Sequence, residues 1–256
     1  MRVLTAFIQK EVVELYRTGK LALLLILFIL FGIMNPAMAK LTPWLMEMSA
    51  ESLAESGMVL GEVTVDAMTS WAQFYKNMLI VFIVFVILSS NILTNEYQKG
   101  TLINMLTKGL SRWKVIAAKT FVMIAFWSIC YWIHFGITYG YTVYFWDNSI
   151  VSHTVMGALC PYLFGIWLIT LIFFWSSFVK ENIGVLTGTG AIVLVSYLTG
   201  MISKVGKYLP TQLLSSGELL TGATQPSDYL GAIVVTIGIS VVCIILSILF
   251  FNRKNV

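Results

Sequence analysis

Six long stretches of the chain contain no Asp, Glu, Lys or Arg and are rich in apolar and aromatic residues. The shortest has 19 residues, and a helix needs about 20 to cross a hydrocarbon core about 30 Å thick. They lack the alternation of polar and apolar residues that is typical of a barrel strand. The pattern therefore predicts an all-α membrane protein, a single domain over residues 1–256 with six transmembrane helices. These spans are predicted at residues 21–39, 77–95, 120–146, 148–179, 182–203 and 229–252.

Composition and charge narrow the class of protein further. The chain is 58% hydrophobic and 11% charged, whereas a soluble domain has about 25% charged residues. Its net charge of +4 is too small and too scattered for a nucleic-acid-binding surface, so we expect no nucleic-acid partner. The three cysteines lie in apolar runs without CxxC spacing, which predicts buried thiols rather than a disulfide framework or a metal site.

Basic residues are distributed unevenly among the segments between the spans. With the N-terminus inside, the cytoplasmic segments hold 12 of the 16 Lys and Arg residues and 4 of the 12 acidic residues. Because cytoplasmic loops carry an excess of Lys and Arg, both termini are predicted to be cytoplasmic. Loops 40–76 and 204–228 are then extracytoplasmic. The first begins with helical spacing around Trp44, and the second is apolar enough to indicate a short helix or a re-entrant cap.

Residues 1–19 have the 3.6-residue period of an amphipathic helix. A basic helix of this kind before the first span favours an interfacial position on the anionic inner leaflet. An ordinary cytoplasmic extension that packs on nothing is the alternative. The apolar face consists of Val3, Leu4, Phe7, Ile8, Val12 and Leu15.

A signal peptide is a second interpretation of the N-terminus, because Ala37-Met38-Ala39 resembles a signal-peptidase site. However, the charged leader contains Glu11 and Glu14, and the apolar run exceeds the length of about 7 to 15 residues usual for a signal peptide. A retained first helix is therefore preferred.

Loop 96–119 is long enough to dock a partner, whereas the inner loop at residues 180–181 is not. Its apolar residues recur at helical spacing on both sides of Lys108-Gly109, and Ser111 stands where an N-cap is expected. The spacing predicts a helix–turn–helix at the cytoplasmic surface. The apolar stripe consists of Leu102, Leu106, Leu110, Trp113 and Ala117.

This loop resembles the cytoplasmic loop of type-2 ATP-binding-cassette exporter permeases. The six-span layout, the amphipathic N-terminal helix and the outer loop between the last two spans extend the resemblance over nearly the whole chain. The residues of the loop that carry it are Glu96, Gly100, Thr101, Leu102, Leu106, Ser111, Arg112 and Lys119.

The resemblance implies a multi-pass permease of a bacterial plasma membrane that pairs with a second copy or a homologue. It would bind two cytoplasmic ATPase subunits through a coupling helix, with leucines in a cleft of the ATPase and a charged residue fixing the angle. No catalytic residue and no metal is implied for this chain, and ATP and Mg would belong to the partner. In agreement, the sequence contains no G-x-x-x-x-G-K-[ST] motif. The coupling helix would contain Glu96, Gly100, Thr101, Leu102, Leu106 and Arg112.

Two features of the spans have their own interpretations. Gly184 and Gly188 form a GxxxG pair in the fifth span, which predicts close helix packing, either within one chain or between two copies. His134 in the third span is an intramembrane ionisable residue. Packing through a neutral imidazole is preferred over a proton relay, because no second ionisable residue accompanies it.

Other classes of function fit the sequence less well. An intramembrane serine protease would need a Gly-x-Ser-Gly frame in a span, but Ser215-Ser216-Gly217 lies in an outer loop. A metalloprotease would need HExxH, and the chain has two histidines in total. A solute-binding subunit of a vitamin uptake system stays an alternative, although it would not need the basic inner loop.

The cargo is predicted from the character of the spans. A path lined by apolar and aromatic groups without paired charges favours outward movement of an amphipathic peptide or a hydrophobic drug. A lipid or lipid-linked polysaccharide is the main competing cargo, and membrane lipid is an expected partner in either case.

Overall fold

The computed structural model describes residues 2–55, 65–102, 107 and 111–253. The described residues form helices and connecting turns and contain no strand. The α-helices are α1 (Arg2–Arg17), α2 (Lys20–Glu55), α3 (Ala67–Ser89), α4 (Asn91–Gln98), α5 (Arg112–Phe145), α6 (Thr154–Phe178), α7 (Asn182–Gly200), α8 (Ser203–Gly206) and α9 (Pro226–Arg253). The 3₁₀ helices Asn148–Ile150 and Pro210–Leu219 lie before α6 and between α8 and α9.

Six helical segments of the described chain are long and apolar enough to cross a bilayer, which confirms the all-α membrane fold. The second of them combines α3 and α4, which are separated by a turn at Ser90. The segments are Lys20–Met48, Ala67–Gln98, Arg112–Phe145, Thr154–Phe178, Asn182–Gly200 and Pro226–Arg253.

Two helix boundaries differ from the sequence prediction. Helix α2 does not end near residue 40 but continues to Glu55, so the helical spacing around Trp44 belongs to the first span's own helix. The uncharged run at 148–179 is not one helix, because a 3₁₀ turn precedes α6. There the carboxylate of Asp147 accepts a hydrogen bond from the backbone N–H of Ser149 at 2.9 Å. Absence of charge does not by itself make a helix, since Asp, Asn and Ser side chains also stabilise turns.

The bundle is organised around α6, which is the most buried of the membrane helices. Helix α6 packs against α9, α5, α7 and the 3₁₀ helix Pro210–Leu219, while α2 packs against α3 and α5 on the other side of the bundle. Aromatic side chains fill the space between these groups. The largest fully buried ones include Trp71, Trp127, Trp167, Tyr131 and Phe164.

A row of polar side chains joins α2, α3 and α5 inside the bundle. The amide of Asn77 donates to the Asn35 side-chain oxygen at 2.8 Å, and the Asn35 amide donates to Thr138 Oγ1 at 3.1 Å. Next to them, His134 donates from Nδ1 to the Phe28 carbonyl at 3.1 Å and stacks on Phe74. Such bonds between helices are a usual means of packing in lipid, which supports the packing interpretation of His134.

The two ends of the bundle are built differently. We call the end where α1, α4, the start of α5 and the C-terminus of α9 meet the loop end. The opposite end, where the 3₁₀ helix Pro210–Leu219 packs on α6 and α9, is the cap end. Leu213 and Leu219 of this 3₁₀ helix are fully buried, so it closes the bundle with apolar side chains.

Candidate functional site

Loop 96–119, which the sequence predicts as the docking loop, begins at the loop end within the last turn of α4. Helix α4 ends at Gln98, and Gly100 follows with φ +64°, a left-handed conformation that favours glycine. The chain is helical again at Thr101 and Leu102. Residues 103–106 and 108–110 lie outside the described part of the chain, and the predicted docking residue Leu106 is among them.

A buried ionic cluster ties the start of this loop to two other helices. The Lys119 ammonium of α5 lies 2.6 Å from Glu11 Oε2 of α1 and 3.0 Å from Glu96 Oε1 of α4. All three side chains are withdrawn from solvent, with Lys119 1% and Glu96 3% exposed. Buried charges of this kind are tolerated when they are paired, and removing one partner is strongly unfavourable.

Lys10 extends the cluster toward the surface of α1. Its ammonium lies 2.9 Å from Glu11, 2.6 Å from Glu14 and 2.9 Å from Glu96. Burial opposes the charged form of Lys10, but its hydrogen bonds to Glu14, Glu96 and Glu11 outweigh burial and raise the pKa of the ammonium. Burial likewise opposes the ionised form of Glu14, and Lys10 overcomes it and lowers the pKa of that carboxyl. We call these five residues, Lys10, Glu11, Glu14, Glu96 and Lys119, the charge cluster.

The charge cluster has the ligands of a cation site, but a lysine occupies its centre. The carboxylates of Glu11, Glu14 and Glu96 come within 4.8 Å of one another, which is close enough to hold a metal ion. Lys10 contacts all three of them, so its ammonium supplies the positive charge that an ion would otherwise bring. The paired charges of Lys10 and Lys119 thus join α1, α4 and α5.

A small apolar cluster surrounds the first residues of the loop. Leu102 is fully buried there and is supported by α1, by the first turns of α5 and by the end of α9. Its side chain therefore packs within the chain and does not lie open to a partner. The buried members are Phe7, Leu93, Leu102, Val115, Ile116, Ala118 and Phe251.

The other predicted docking residues occupy different environments. Thr101 is half-buried, and Arg112 donates from Nη1 to the Phe251 carbonyl at 3.2 Å and the Asn252 carbonyl at 3.3 Å. A guanidinium in this position also complements the negative end of the α9 dipole. Trp113, next in the chain, is 46% exposed at the loop end. Glu96 and Leu102 thus support the loop from inside, and Trp113 presents a large side chain outward.

The N-cap position predicted at Ser111 is confirmed, but without the side-chain hydrogen bond of a cap. Ser111 does stand at the N-cap of α5 with an extended backbone, but its hydroxyl makes no capping hydrogen bond. That hydroxyl is buried and has no hydrogen-bond partner within the described chain.

The glycine pair in the fifth span packs against its own chain. A Cβ at Gly188 would overlap the indole ring of Trp175 in α6, and one at Gly184 would lie 2.6 Å from Val179 Cγ1. These glycines therefore allow α7 to lie closely against α6 and the turn that follows it. Of the two alternatives left open by the sequence, contact within the chain is the one the structure shows for both glycines.

The sequence prediction missed the pairing of Glu11 with Lys119. Glu11 lies one turn from both Phe7 and Leu15 on the buried side of α1, and Lys119 lies well inside α5, past its first two turns. An acidic residue on an apolar helix face and a lone lysine beside an apolar run were the available signals. Neither identifies its partner, because residues 108 positions apart share no local pattern.

Comparison with known protein families finds a match for most of the chain. No curated protein matches the sequence. A family model described as "Protein of unknown function (DUF2705)" matches residues 44–256, which include α3 to α9 and the loop between α4 and α5. Because the match covers most of the chain, this membrane protein belongs to the DUF2705 family.

Proposed function

We propose that this chain is the membrane-spanning subunit of an ATP-driven exporter in a bacterial cell membrane. Two copies, or one copy and a homologue, would associate with two cytoplasmic ATPase subunits that dock on the loop end. The chain itself supplies no ATP site and performs no catalysis. Energy for transport arrives from the partner as movement of the loop.

The charge cluster is the observation that supports the proposal most strongly. A loop that receives force from a partner must be joined rigidly to the helices that it moves. Glu96 is the first residue of loop 96–119 and lies in the last turn of α4. It is paired in a buried environment with Lys119 of α5 and, through that lysine, with Glu11 of α1. Displacing the loop without moving α1 and α5 would separate buried charges, which costs about 3–5 kcal/mol.

The apolar cluster around Leu102 adds a second connection from the same loop. It joins the loop to α1, α4, α5 and the end of α9, so four helices converge on a short segment of chain. This convergence is suited to distributing a push or pull across the bundle.

The docking surface can be tested with Trp113→Asp. Trp113 is the second residue of α5 and is half-exposed, so an acidic replacement does not disturb the core and is favourable at a helix N-terminus. Loss of an aromatic anchor at a protein interface commonly costs at least about 2 kcal/mol, or about a thirtyfold weakening. We expect the variant to lose copurification with the proposed ATPase partner.

The matched control is Trp44→Asp, the same substitution at a residue that is 56% exposed and belongs to the far half of α2. This variant should retain the ATPase. If Trp113→Asp copurifies as well as the control, the loop end is not the docking surface. If the purified chain hydrolyses ATP without a partner, the proposal that a separate subunit hydrolyses ATP is wrong.

The proposed cargo is an amphipathic peptide or hydrophobic drug that moves outward. Support comes from the described helices, whose membrane-exposed faces and internal cavities are lined mostly by aliphatic and aromatic side chains. Stimulation of the reconstituted complex's ATPase by amphipathic peptides, with no response to glycolipids, is the expected result. The reverse response would favour a lipid-linked polysaccharide.

A further inference from the structure

Helix α2 is much longer than a bilayer requires. It contains 36 residues, which span about 54 Å, whereas the hydrocarbon core is about 30 Å thick. The 19 residues between Lys20 and Lys40 carry no charge and are long enough to cross that core. Residues 41–55, which we call the arm, therefore continue about 22 Å past the membrane-crossing part.

Neighbouring helices mark the same boundary at the cap end. Helix α5 ends at Phe145, and the Lys40 ammonium lies 3.9 Å from the centre of the Phe145 ring. Helix α3 begins at Ala67, one turn before the contact of 2.7 Å between Ser70 Oγ and Thr142 Oγ1. The arm therefore starts at the level where α5 ends and α3 begins.

Burial of α2 also changes at this level. Asn35, Pro36 and Ala39 are buried, but none of the described side chains from Lys40 to Met48 is buried. The described part of the arm thus presents its side chains outward, where another phase or molecule can contact them.

The exposed face of the arm continues the lipid-facing face of the membrane-crossing part. Leu23, Ile26 and Leu30 are about half exposed on the outside of the bundle. Five turns of an α-helix take about 18 residues, so each of the three has a counterpart on the same side of the arm. All three counterparts are large and apolar. They are Leu41, Trp44 and Met48, which are 47%, 56% and 63% exposed.

Pro43 gives the arm a hinge and sets the direction of bending. Proline has no N–H for the carbonyl four residues earlier, here that of Ala39, and its ring crowds that carbonyl. Relief of this contact opens the helix on the proline side and bends it the other way. Leu41 and Met48 lie about 140–160° around the helix from Pro43, so they are on the inner side of the bend. Bending therefore brings the apolar face down toward lipid.

We infer that the arm bends at Pro43 and lies in the interface of the leaflet at the cap end, with Leu41, Trp44 and Met48 against phospholipid. Phospholipid is the occupant because this face continues one that already meets lipid and because the arm begins at the membrane boundary. Burying about 100 Å² of apolar surface there favours the bent arm roughly fiftyfold. The inference concerns contact between the chain and the membrane and does not depend on export or on an ATPase.

Nitroxide labels on the purified chain in phosphatidylcholine nanodiscs test the position of the arm. Collisions with oxygen report lipid, and collisions with a water-soluble nickel chelate report water. A label on Met48→Cys should collide mainly with oxygen. A label on Glu47→Cys should collide mainly with nickel, because Glu47 lies only about 40° from Pro43, on the outer side of the bend. Ala223→Cys, exposed beyond the cap, is the reference for water, and the native thiols are buried.

Pro43→Ala tests the hinge. Alanine restores the N–H donor to the Ala39 carbonyl, and replacing a proline inside a helix favours the straight helix by about a hundredfold, which outweighs the contact with lipid. The label at Met48 should then collide mainly with nickel. Pro36→Ala is the matched control in the same helix, because the hydrogen bonds of Asn35 hold α2 there to α3 and α5. It should leave the label in lipid.

An unchanged Ala223→Cys label in both proline variants shows that the cap end is folded. The contrast between the labels at Met48 and Glu47 decides the position of the arm without altering the hinge. Collisions mainly with nickel at Met48 would mean that the arm stands in water, and few collisions with either reagent would mean that protein, such as a second copy, covers it. Either result overturns the inference, as does a Met48 label that Pro43→Ala leaves in lipid.

Discussion

The loop end and the cap end close the same bundle by different physical means. At the loop end, paired charges are buried between α1, α4 and α5, with Lys119 between Glu11 and Glu96. At the cap end, neutral groups connect the elements: Tyr131 donates to the Ala158 carbonyl at 2.5 Å, and Tyr229 donates to the Ser215 carbonyl at 2.9 Å. One end depends on charge balance and the other on apolar packing and neutral hydrogen bonds.

The difference bears on how readily each end can rearrange. Separating a buried ion pair leaves an uncompensated charge, whereas a neutral hydrogen bond contributes about 1 kcal/mol and can be exchanged for another. The loop end is therefore suited to move as a unit, and the cap end to open and close. An exporter with an ATPase on the inner side would need force to be applied at the rigid loop end. Its cargo would then be released at the adaptable cap end.

The largest predicted contrast between the ends is the side of the membrane that each faces. A cysteine at Lys180, in the loop between α6 and α7, should react with an impermeant maleimide from the cytoplasm alone, and one at Ala223, beyond the cap, from outside alone. Both residues are exposed, and the native thiols of Cys130, Cys160 and Cys243 are buried, so background labelling is expected to be low. The opposite pattern would invert the orientation and remove the loop end as a cytoplasmic docking surface.

Lys119→Met should produce the largest change in stability. The variant leaves the three carboxylates of Glu11, Glu14 and Glu96 with Lys10 as their remaining partner in the charge cluster, and we expect a loss of about 3–5 kcal/mol in the free energy of unfolding. Equilibrium unfolding in mixed micelles, followed by tryptophan fluorescence, measures it.

Two controls show whether charge balance is the cause. Combining Lys119→Met with Glu96→Met should restore much of the loss, because apolar replacement of a buried pair is often neutral. At the cap end, Tyr131→Phe removes one neutral hydrogen bond and should cost about 1 kcal/mol. Equal losses for Lys119→Met and Tyr131→Phe would contradict the distinction between the two ends.

The smallest predicted effect is a dependence of loop-end stability on pH. The pKa of Glu14 is lowered in the folded chain, so its contribution is complete above its ordinary value of 4.5 and is lost as the pH falls through the lowered value. The pKa of Lys10 is raised, so its contribution is complete below 10.5 and is lost as the pH rises through the raised value. Because the Glu14 side chain is 43% exposed, solvent weakens the effect relative to Lys119→Met.

Glu14→Gln tests the contribution of the Glu14 carboxylate to stability at acid pH. Unfolding measured between pH 3 and pH 7, a range chosen to include the ordinary value of 4.5, should show a shallower decline for the variant than for the wild type. Identical profiles would mean that the contact between Lys10 and Glu14 does not contribute to folding.

The sequence by itself determined the fold class and the number of membrane helices. Absence of charge over about 20 residues is a local property, and lipid requires each such segment to satisfy its own backbone hydrogen bonds, so periodicity and length suffice. The amphipathic character of α1 is local in the same sense. Where a stretch was free of charge but rich in turn-forming residues, as at Asn148 and Ser149, the length criterion misplaced a boundary.

Tertiary structure alone decided what the polar residues of the loop do. The sequence placed Glu96 and Leu102 on a docking helix, but the folded chain buries both, one against Lys119 and the other among Phe7, Val115 and Phe251. It also decided that Gly188 meets Trp175 of its own chain. These outcomes depend on which helix faces lie together, and such pairings between distant positions leave no periodic signal in one sequence, because every apolar face satisfies the same local pattern.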